Sequence, residues 1–242
     1  MTFSSGAAER AEATAQVFVD DLETPSLSEH DAHHLLRVRR VRDGELVIAA
    51  DGTGAWRCCT LDGGRLVATG SVELEPPASP LLTVAFAPVK GDRSEWAVAK
   101  LTEVGCDQIV ALATDRAAVR WSGPAAERSL ERWARIAAEA ACQSRRVRLP
   151  LIGGPVGIES FVGDPSVALA VPGGPPLAPG IDTVLIGPEG GWSPAERDLG
   201  FVSVGLGAHV LRTETAALAA GVLTGAIRAG TVAHVERNGS QQ

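Results

Sequence analysis

Two glycine-bearing segments near the C-terminus have residue types suited to holding a small molecule by its edges. The first is Gly187-Pro188-Glu189-Gly190-Gly191-Trp192-Ser193-Pro194. It follows the apolar run Thr183 to Ile186, which places it at the C-terminal end of a predicted strand. Ser193 is then a helix N-cap, Pro194 the first helical residue, and Glu196 the partner that closes a capping box. A glycine turn between a strand end and a helix start is where open α/β sheets bind ligands. It is neither GxGxxG nor a phosphate loop, because it has no lysine and Pro188 interrupts it. Glycine lets main-chain amides and carbonyls approach a flat heterocycle closely, although a tight structural turn would use the same residues. The second segment is Leu206-Gly207-Ala208-His209-Val210-Leu211-Arg212-Thr213-Glu214-Thr215-Ala216, again strand, loop and helix start. Thr213 or Thr215 is the expected cap, and Glu214 complements the helix N-terminus. Ala217, Gly221 and Gly225 follow at four-residue spacing. That small-residue stripe permits close backbone contact with another element, and an Ala-rich core helix would show it too.

Cationic residues gather elsewhere. Lys90-Gly91-Asp92-Arg93 precedes Trp96, Lys100 and Glu103, which share a helical face with Asp92 as the expected cap. Arg128, Arg132, Arg135, Glu139 and Gln143 recur at spacings of three and four, with Arg145, Arg146 and Arg148 just beyond. His33, Arg37 and Arg40 lie on one face if the first helix runs to Arg40, and Arg39 and Arg42 complete the densest basic cluster. Each group has the bland reading of a solvated face. The chain carries 22 Lys+Arg against 29 Asp+Glu, a net charge of −7. That argues against a uniformly basic coat, so a local basic patch is the better candidate for an RNA backbone contact. His30, His33 and His34 lack a second ligand group at metal spacing, so no metal is expected. Cys58, Cys59, Cys106 and Cys142 form no CxxC pair. A disulfide scaffold is not expected, and a reducing cytosol is the natural compartment.

The elements that must position these residues fall into two sets. The first sixteen residues read as a frayed tail. A short helix with Ser28 as cap and Asp31 behind it precedes runs at Glu45–Ala50, Ala55–Leu61 and Leu66–Leu74. Separated by Asp51-Gly52-Thr53-Gly54 and Asp62-Gly63-Gly64, they predict a strand meander closing as a small barrel over residues 17–75. Glu75-Pro76-Pro77-Ala78-Ser79-Pro80 is a stiff boundary. Beyond it strands at Leu81–Ala87, Asp107–Ala113, Ser166–Val171, Thr183–Ile186 and Val202–Val204 alternate with helices at Arg93–Val104, Ala125–Gln143, Pro194–Leu199 and Thr215–Arg228. That alternation predicts an α/β domain with a mostly parallel sheet. The apolar stretch Ala216–Val235 carries Arg228 and several Gly and Thr, and reads as a packed helix rather than a membrane span.

Taken in order, His34-Leu-Leu-Arg37-Val-x-Arg40 with Gly44, Lys90-Gly-Asp-Arg93, Lys100-x-x-Glu103, Asp115-Arg116, Glu139-Ala-Ala-Cys-Gln143 with Arg146 and Pro150, Gly187-Pro-Glu-Gly-Gly191, and Leu206-Gly with Leu211-Arg-Thr-Glu-Thr-Ala216 resemble the RsmE family. These are the bacterial 16S ribosomal RNA uridine N3-methyltransferases of the SPOUT superfamily. The resemblance runs from about Val17 to Arg228. It departs at Gln16-Val17-Phe18, which stands for an Arg-bearing strand near residue one, and at Ala111, where relatives often carry proline and a changed strand end is expected.

The resemblance implies a PUA-like β-barrel over 17–75 and a SPOUT α/β domain with a deep trefoil knot over 81–235. It also implies S-adenosylmethionine as cofactor, a homodimer, a cytoplasmic enzyme, and 16S rRNA, within the 30S subunit, as substrate. Gly187, Pro188, Glu189, Gly190, Gly191, Leu206, Gly207, Leu211, Arg212, Thr213 and Thr215 are the expected cofactor contacts. Arg37, Arg40, Lys90, Arg93, Arg116 and Arg146 are the expected RNA contacts. Uridine N3 is protonated and weakly nucleophilic, so a group must take its proton or stabilise its anion. Arg212 or Arg146 is expected to stabilise the anion; Glu139, with Glu189 second, is expected to accept the proton. Three other readings stay open: a SPOUT enzyme acting on ribose 2′-hydroxyl or another base, a catalytically silent RNA-binding module, and a dinucleotide-dependent oxidoreductase.

Overall fold

The computed structural model describes residues 5–232. Residues 1–4 of the expected tail and 233–235 of the expected second domain lie outside them. By its internal contacts the described chain forms two units, residues up to 78 with 135–149, and residues 79–134 with 150 onward.

The first unit opens with α1 (Ser5–Glu12) and β1 (Ala15–Phe18), then α2 (Glu29–His33) and a π-helical turn at His34–Val38. Four strands follow: β2 (Leu46–Ala50), β3 (Ala55–Asp62), β4 (Arg65–Ala68) and β5 (Glu73–Leu74). The pairing order is β1-β2-β3-β4, with β5 on β3. The pair β1–β2 is parallel and the others antiparallel. The expected meander therefore begins with a crossover, because parallel neighbours need a long connection, here through α2. Leu35, Val41, Val47, Cys59, Leu61 and Leu66 form its core.

Three expectations are corrected here. The described part of the tail, residues 5–16, is ordered: Arg10 of α1 sits 2.6 Å from the Glu75 carboxylate and 5.2 Å above the Trp56 ring. Those contacts, with buried Ala13, anchor what composition read as disordered. Nor does the first helix run to Arg40. Ser28 caps it, accepting from the Asp31 amide at 3.1 Å. After His33 the turn widens to π spacing, and Arg40 adopts φ +57°. The shared face of His33, Arg37 and Arg40 is lost, although Arg37 and Arg40 remain exposed. The predicted strand Leu66–Leu74 splits, since the amides of Thr69 and Gly70 both donate to the Cys58 carbonyl.

The second unit alternates strands with helices: β6 (Thr83–Phe86), α3 (Arg93–Glu103), β7 (Gln108–Ala113) and α4 (Gly123–Ser144, whose last part belongs to the first unit). It continues with β8 (Leu151–Gly157), β9 (Val167–Ala170), β10 (Thr183–Ile186), α5 (Pro194–Arg197), β11 (Val202–Val204) and α6 (Thr213–Arg228). The six strands are ordered β11-β9-β10-β6-β7-β8 and all pairs are parallel. Every residue of β6 is buried, as a strand covered on both faces requires. Leu112, Ile158, Val167, Leu169, Leu185 and Trp192 fill one core cluster. The strand β8 went unpredicted because its sequence is LIGGPVG. Its pairing with β7 shifts register between Val110 and Leu112. Ala111 thus lies inside β7 at that irregularity, not at a strand end; there Gly154 has φ +103° and a Cβ would strike the Ala111 carbonyl.

The stripe on α6 meets α3. A Cβ at Gly221 would lie 2.8 Å from Leu101 Cδ2 and 3.0 Å from Cys106 Sγ. Arg228 ends the helix by pairing with Asp107 and donating to the Gly105 and Pro80 carbonyls at 3.0 and 3.1 Å. No described helix is long and apolar enough to cross a membrane.

Candidate active site

The C-terminal ends of β9, β10 and β11 open onto one cleft. Its walls are Ala170–Pro172 after β9, Ile186–Glu189 with Gly191 and Trp192 after β10, and Leu206, Gly207 and His209–Leu211 after β11, closed by Thr213 and Ala216 of α6. The two glycine segments, expected through the resemblance to share one ligand, therefore face each other. Thr213 Oγ1 donates to the Gly187 carbonyl at 3.0 Å and ties them together. This replaces the expected cap: Arg212 occupies the N-cap position of α6 without a side-chain bond, and Thr213 is spent across the cleft. Asp92 likewise sits at the N-cap of α3 without capping it. Ser193 does cap α5, with a complete capping box from Glu196 and Pro194 at the start.

Charged residues hold the rims. Arg93, at the start of α3, reaches Glu189 at 3.2 Å and Glu214 at 3.4 Å, one carboxylate from each segment. Arg116 donates to the Gly190 carbonyl at 3.2 Å. Its neighbour Asp115 accepts from Ser193 Oγ at 2.6 Å, and the Asp115 amide donates to Glu196 at 2.9 Å. Two residues expected on RNA thus buttress the cleft from within. The Trp192 ring packs under Gly187, where a Cβ would lie 3.0 Å from it, and its Nε1 donates to the Ala170 carbonyl at 3.0 Å.

Of the expected cofactor contacts, Gly187, Pro188, Glu189, Gly191, Leu206, Gly207, Leu211 and Thr213 line the cleft; Gly190, Arg212 and Thr215 do not. Arg212 and Thr215 are exposed at the start of α6. Lys90 is exposed beside α3. Glu139 and Arg146 belong to the first unit, where Glu139 is exposed and the Arg146 carbonyl accepts from the Gln16 side chain at 2.7 Å. The sequence reading missed Ala170–Pro172, Trp192, Arg197, His209 and Val210. Adjacency of β9, β10 and β11 was the signal, since ligands gather outside the carboxyl ends of neighbouring parallel strands.

The chemistry of the walls suits a flat heterocycle. Among the described residues, no hydrogen bond to the rest of the protein engages the main-chain N–H and C=O groups of residues 206–211. Residues 207–210 are exposed, so these groups face solvent and are available as donors and acceptors to a ligand in the cleft. No cysteine is among the residues that line the cleft. Burial pushes the Cys58 thiol up to about 11 and the Cys142 thiol up to about 12. Among the described residues no group of three His, Cys, Asp or Glu could hold a metal ion.

A sequence profile of an RNA methyltransferase domain matches residues 77–173 and 175–224, and one of an RNA methyltransferase PUA domain matches residues 27–66. The ribosomal RNA small subunit methyltransferase E of Mycobacterium bovis is 34% identical over 225 residues, 80% of this chain and 84% of its own. This chain belongs to the ribosomal RNA small subunit methyltransferase E family. The family member from Neisseria gonorrhoeae, solved bound to S-adenosyl methionine, superposes with a TM-score of 0.74 at 27% identity, over 88% of this chain and 97% of that one. A probable rRNA-methyltransferase of Porphyromonas gingivalis gives a TM-score of 0.74 at 30% identity, over 90% of this chain and 100% of that one. The small PUA-like module followed by a parallel α/β methyltransferase domain is the architecture this family membership implies.

Proposed function

We propose that this chain, as a homodimer in the bacterial cytoplasm, methylates N3 of a uridine in 16S rRNA of the small ribosomal subunit, using S-adenosylmethionine. In this reading residues 17–75 help to hold the RNA and residues 81–235 carry the reaction, with the polypeptide around α6 drawn into a trefoil knot. The observation that carries the reading is the meeting of residues 187–191 and 206–213 in one cleft with uncommitted main-chain groups. Family membership supports it.

S-adenosylmethionine supplies a methyl group on a sulfonium, which leaves as a thioether when the N3–carbon bond forms. The chain's own work is positioning and charge. Main-chain groups of residues 206–211 would hold the cofactor's heterocycle, and Trp192, packed under Gly187, would support the opposite wall. The Arg212 guanidinium at the mouth of α6, or that of Arg146, stabilises the uridine anion. Glu139 accepts the N3 proton. Glu189 is the second candidate, although its pairing with Arg93 gives it a structural task. Holding both reactants in line accounts for much of the acceleration.

The test is methylation of 30S subunits from a strain lacking this modification, with the product nucleoside identified by mass spectrometry. N3-methyluridine is the expected product. A 2′-O-methyl nucleoside or another methylated base would reassign the acceptor, and absence of any cofactor heat on titration would reduce the chain to an RNA-binding module.

A further inference from the structure

The second unit also has cavities of about 370 and 520 Å³ that share no lining residue with the cleft. Their common wall contains Val119 and Trp121. The Trp121 ring ends an aromatic ladder that begins in the core. Phe86 stacks on Trp133 at 4.9 Å and 16°, and Trp133 meets Trp121 edge to face at 4.9 Å and 62°. Phe86 and Trp133 are fully buried, whereas Trp121 is partly exposed where the two cavities adjoin. Its orientation is thus set by buried neighbours before any ligand arrives, so a stacking partner has little ordering cost to meet. Each cavity holds both signs of charge: Lys90, Arg132 and Glu95 line the smaller, and Arg120, Asp115, Glu159 and Glu196 the larger, where Asp115 accepts from Ser193 and Glu196 from main-chain amides. Lys90 lines the smaller and makes no ion pair among the described residues. Arg120 lines the larger, and its only described bond is a long one, 3.5 Å, to the Asp115 carbonyl. By contrast Arg132, also in the smaller cavity, is already paired with Glu95 at 2.7 Å.

A preset aromatic face flanked by two uncommitted cations, on a chain of net charge −7, matches a ligand with flat bases joined by phosphates. We infer that Trp121 is a stacking platform for one base of single-stranded RNA, with Lys90 and Arg120 on the phosphates to either side. The inference rests on the proposed RNA methylation and names how the strand is received, in a place separate from the cofactor cleft.

The test uses the full chain, a labelled short oligouridylate and 30S subunits. Loss of one base stack predicts that Trp121→Ala weakens oligouridylate binding about tenfold in fluorescence anisotropy. It also predicts a similar rise in KM for subunits, with kcat within about twofold. Trp121→Phe should restore most of both, and Lys90→Ala should flatten the salt dependence of binding by about one phosphate contact. Cofactor affinity by calorimetry should stay unchanged in all three. If Trp121→Ala melts early, Trp121→Leu keeps bulk without a π face and should show the same loss. Unchanged oligouridylate affinity in Trp121→Ala or Trp121→Leu would overturn the platform. A wild-type chain that binds the oligouridylate through Trp121 yet methylates nothing would instead sink the proposed reaction and leave the platform standing.

Discussion

Arg93 shows how a single residue can be misread from its type. Basic residues after a glycine turn suggest phosphate, yet this guanidinium spans carboxylates from both cleft segments. The Glu189 pair is largely exposed and contributes little; the Glu214 carboxylate is mostly buried and matters more. Arg93→Ala frees both segments and leaves Glu214 without its cation. Cofactor affinity should fall about three- to tenfold, on the order of 1 kcal/mol. Isothermal calorimetry checks this without RNA present, which separates it from a phosphate contact: an RNA-only role leaves the cofactor isotherm unmoved. Thr213 carries the same lesson. Its place at a helix start suggests a cap, but its hydroxyl goes to the Gly187 carbonyl in a distant part of the sequence. A long-range partner of that kind leaves no local trace.

At the scale of elements, the legible parts were those with local causes. The capping box of α5, the strands β10 and β11, and the start of α3 all follow from residues within one turn of each other. The strand β8 did not, because only its neighbour β7 holds a Gly-Gly-Pro sequence extended. The tail did not either, since its order comes from Trp56 and Glu75. The juxtaposition of the two glycine segments was expected only through the family resemblance; strand order supplies its physical cause. The α3–α6 contact yields a paired prediction. A methyl at Gly225 would lie 3.4 Å from the Val104 carbonyl, an ordinary contact, so Gly225→Ala should gain up to about 1 kcal/mol from helix propensity. The methyl of Gly221→Ala meets Leu101 and Cys106 too closely, and overpacking of about 1–3 kcal/mol should cancel or reverse that gain. Urea unfolding of the two variants decides it; equal stabilisation would show that α3 yields. The loop ahead of α6 gives another. The segment 206–211 forms one wall of the cleft and is mostly exposed. With no hydrogen bonds of their own, its amides should exchange rapidly in the free protein and slow on adding S-adenosylmethionine, as hydrogen-exchange mass spectrometry would record.

Across the whole molecule, charge makes two further statements. The chain has four cysteines and no tyrosine. Burial raises Cys58 and Cys142 from 9.0 to about 11 and about 12. Above pH about 9 the unfolded chain therefore releases thiol protons that the folded chain keeps, and stability falls as pH rises toward about 12. Urea unfolding at pH about 8 and about 10.5 should show the decline, and Cys58→Ala with Cys142→Ala should flatten it. The second statement concerns where an acidic protein meets an acidic polymer. Helix periodicity does not align Arg37 and Arg40, because the π turn and the left-handed Arg40 break it; they reach solvent as separate exposed side chains. Phosphate contacts need reach and charge, not helical register, so both residues keep their proposed role on RNA. If each neutralises one phosphate, replacing both by glutamate removes two counterion-release steps. The slope of log affinity against log salt should then shrink by about 1.4 for a single strand, with a larger affinity loss at low salt than at high salt. Cofactor affinity should not move, because neither residue lines the cleft proposed to hold the cofactor. A salt slope equal to that of the parent chain would remove Arg37 and Arg40 from the RNA surface and leave the cations beside Trp121 as the better candidates.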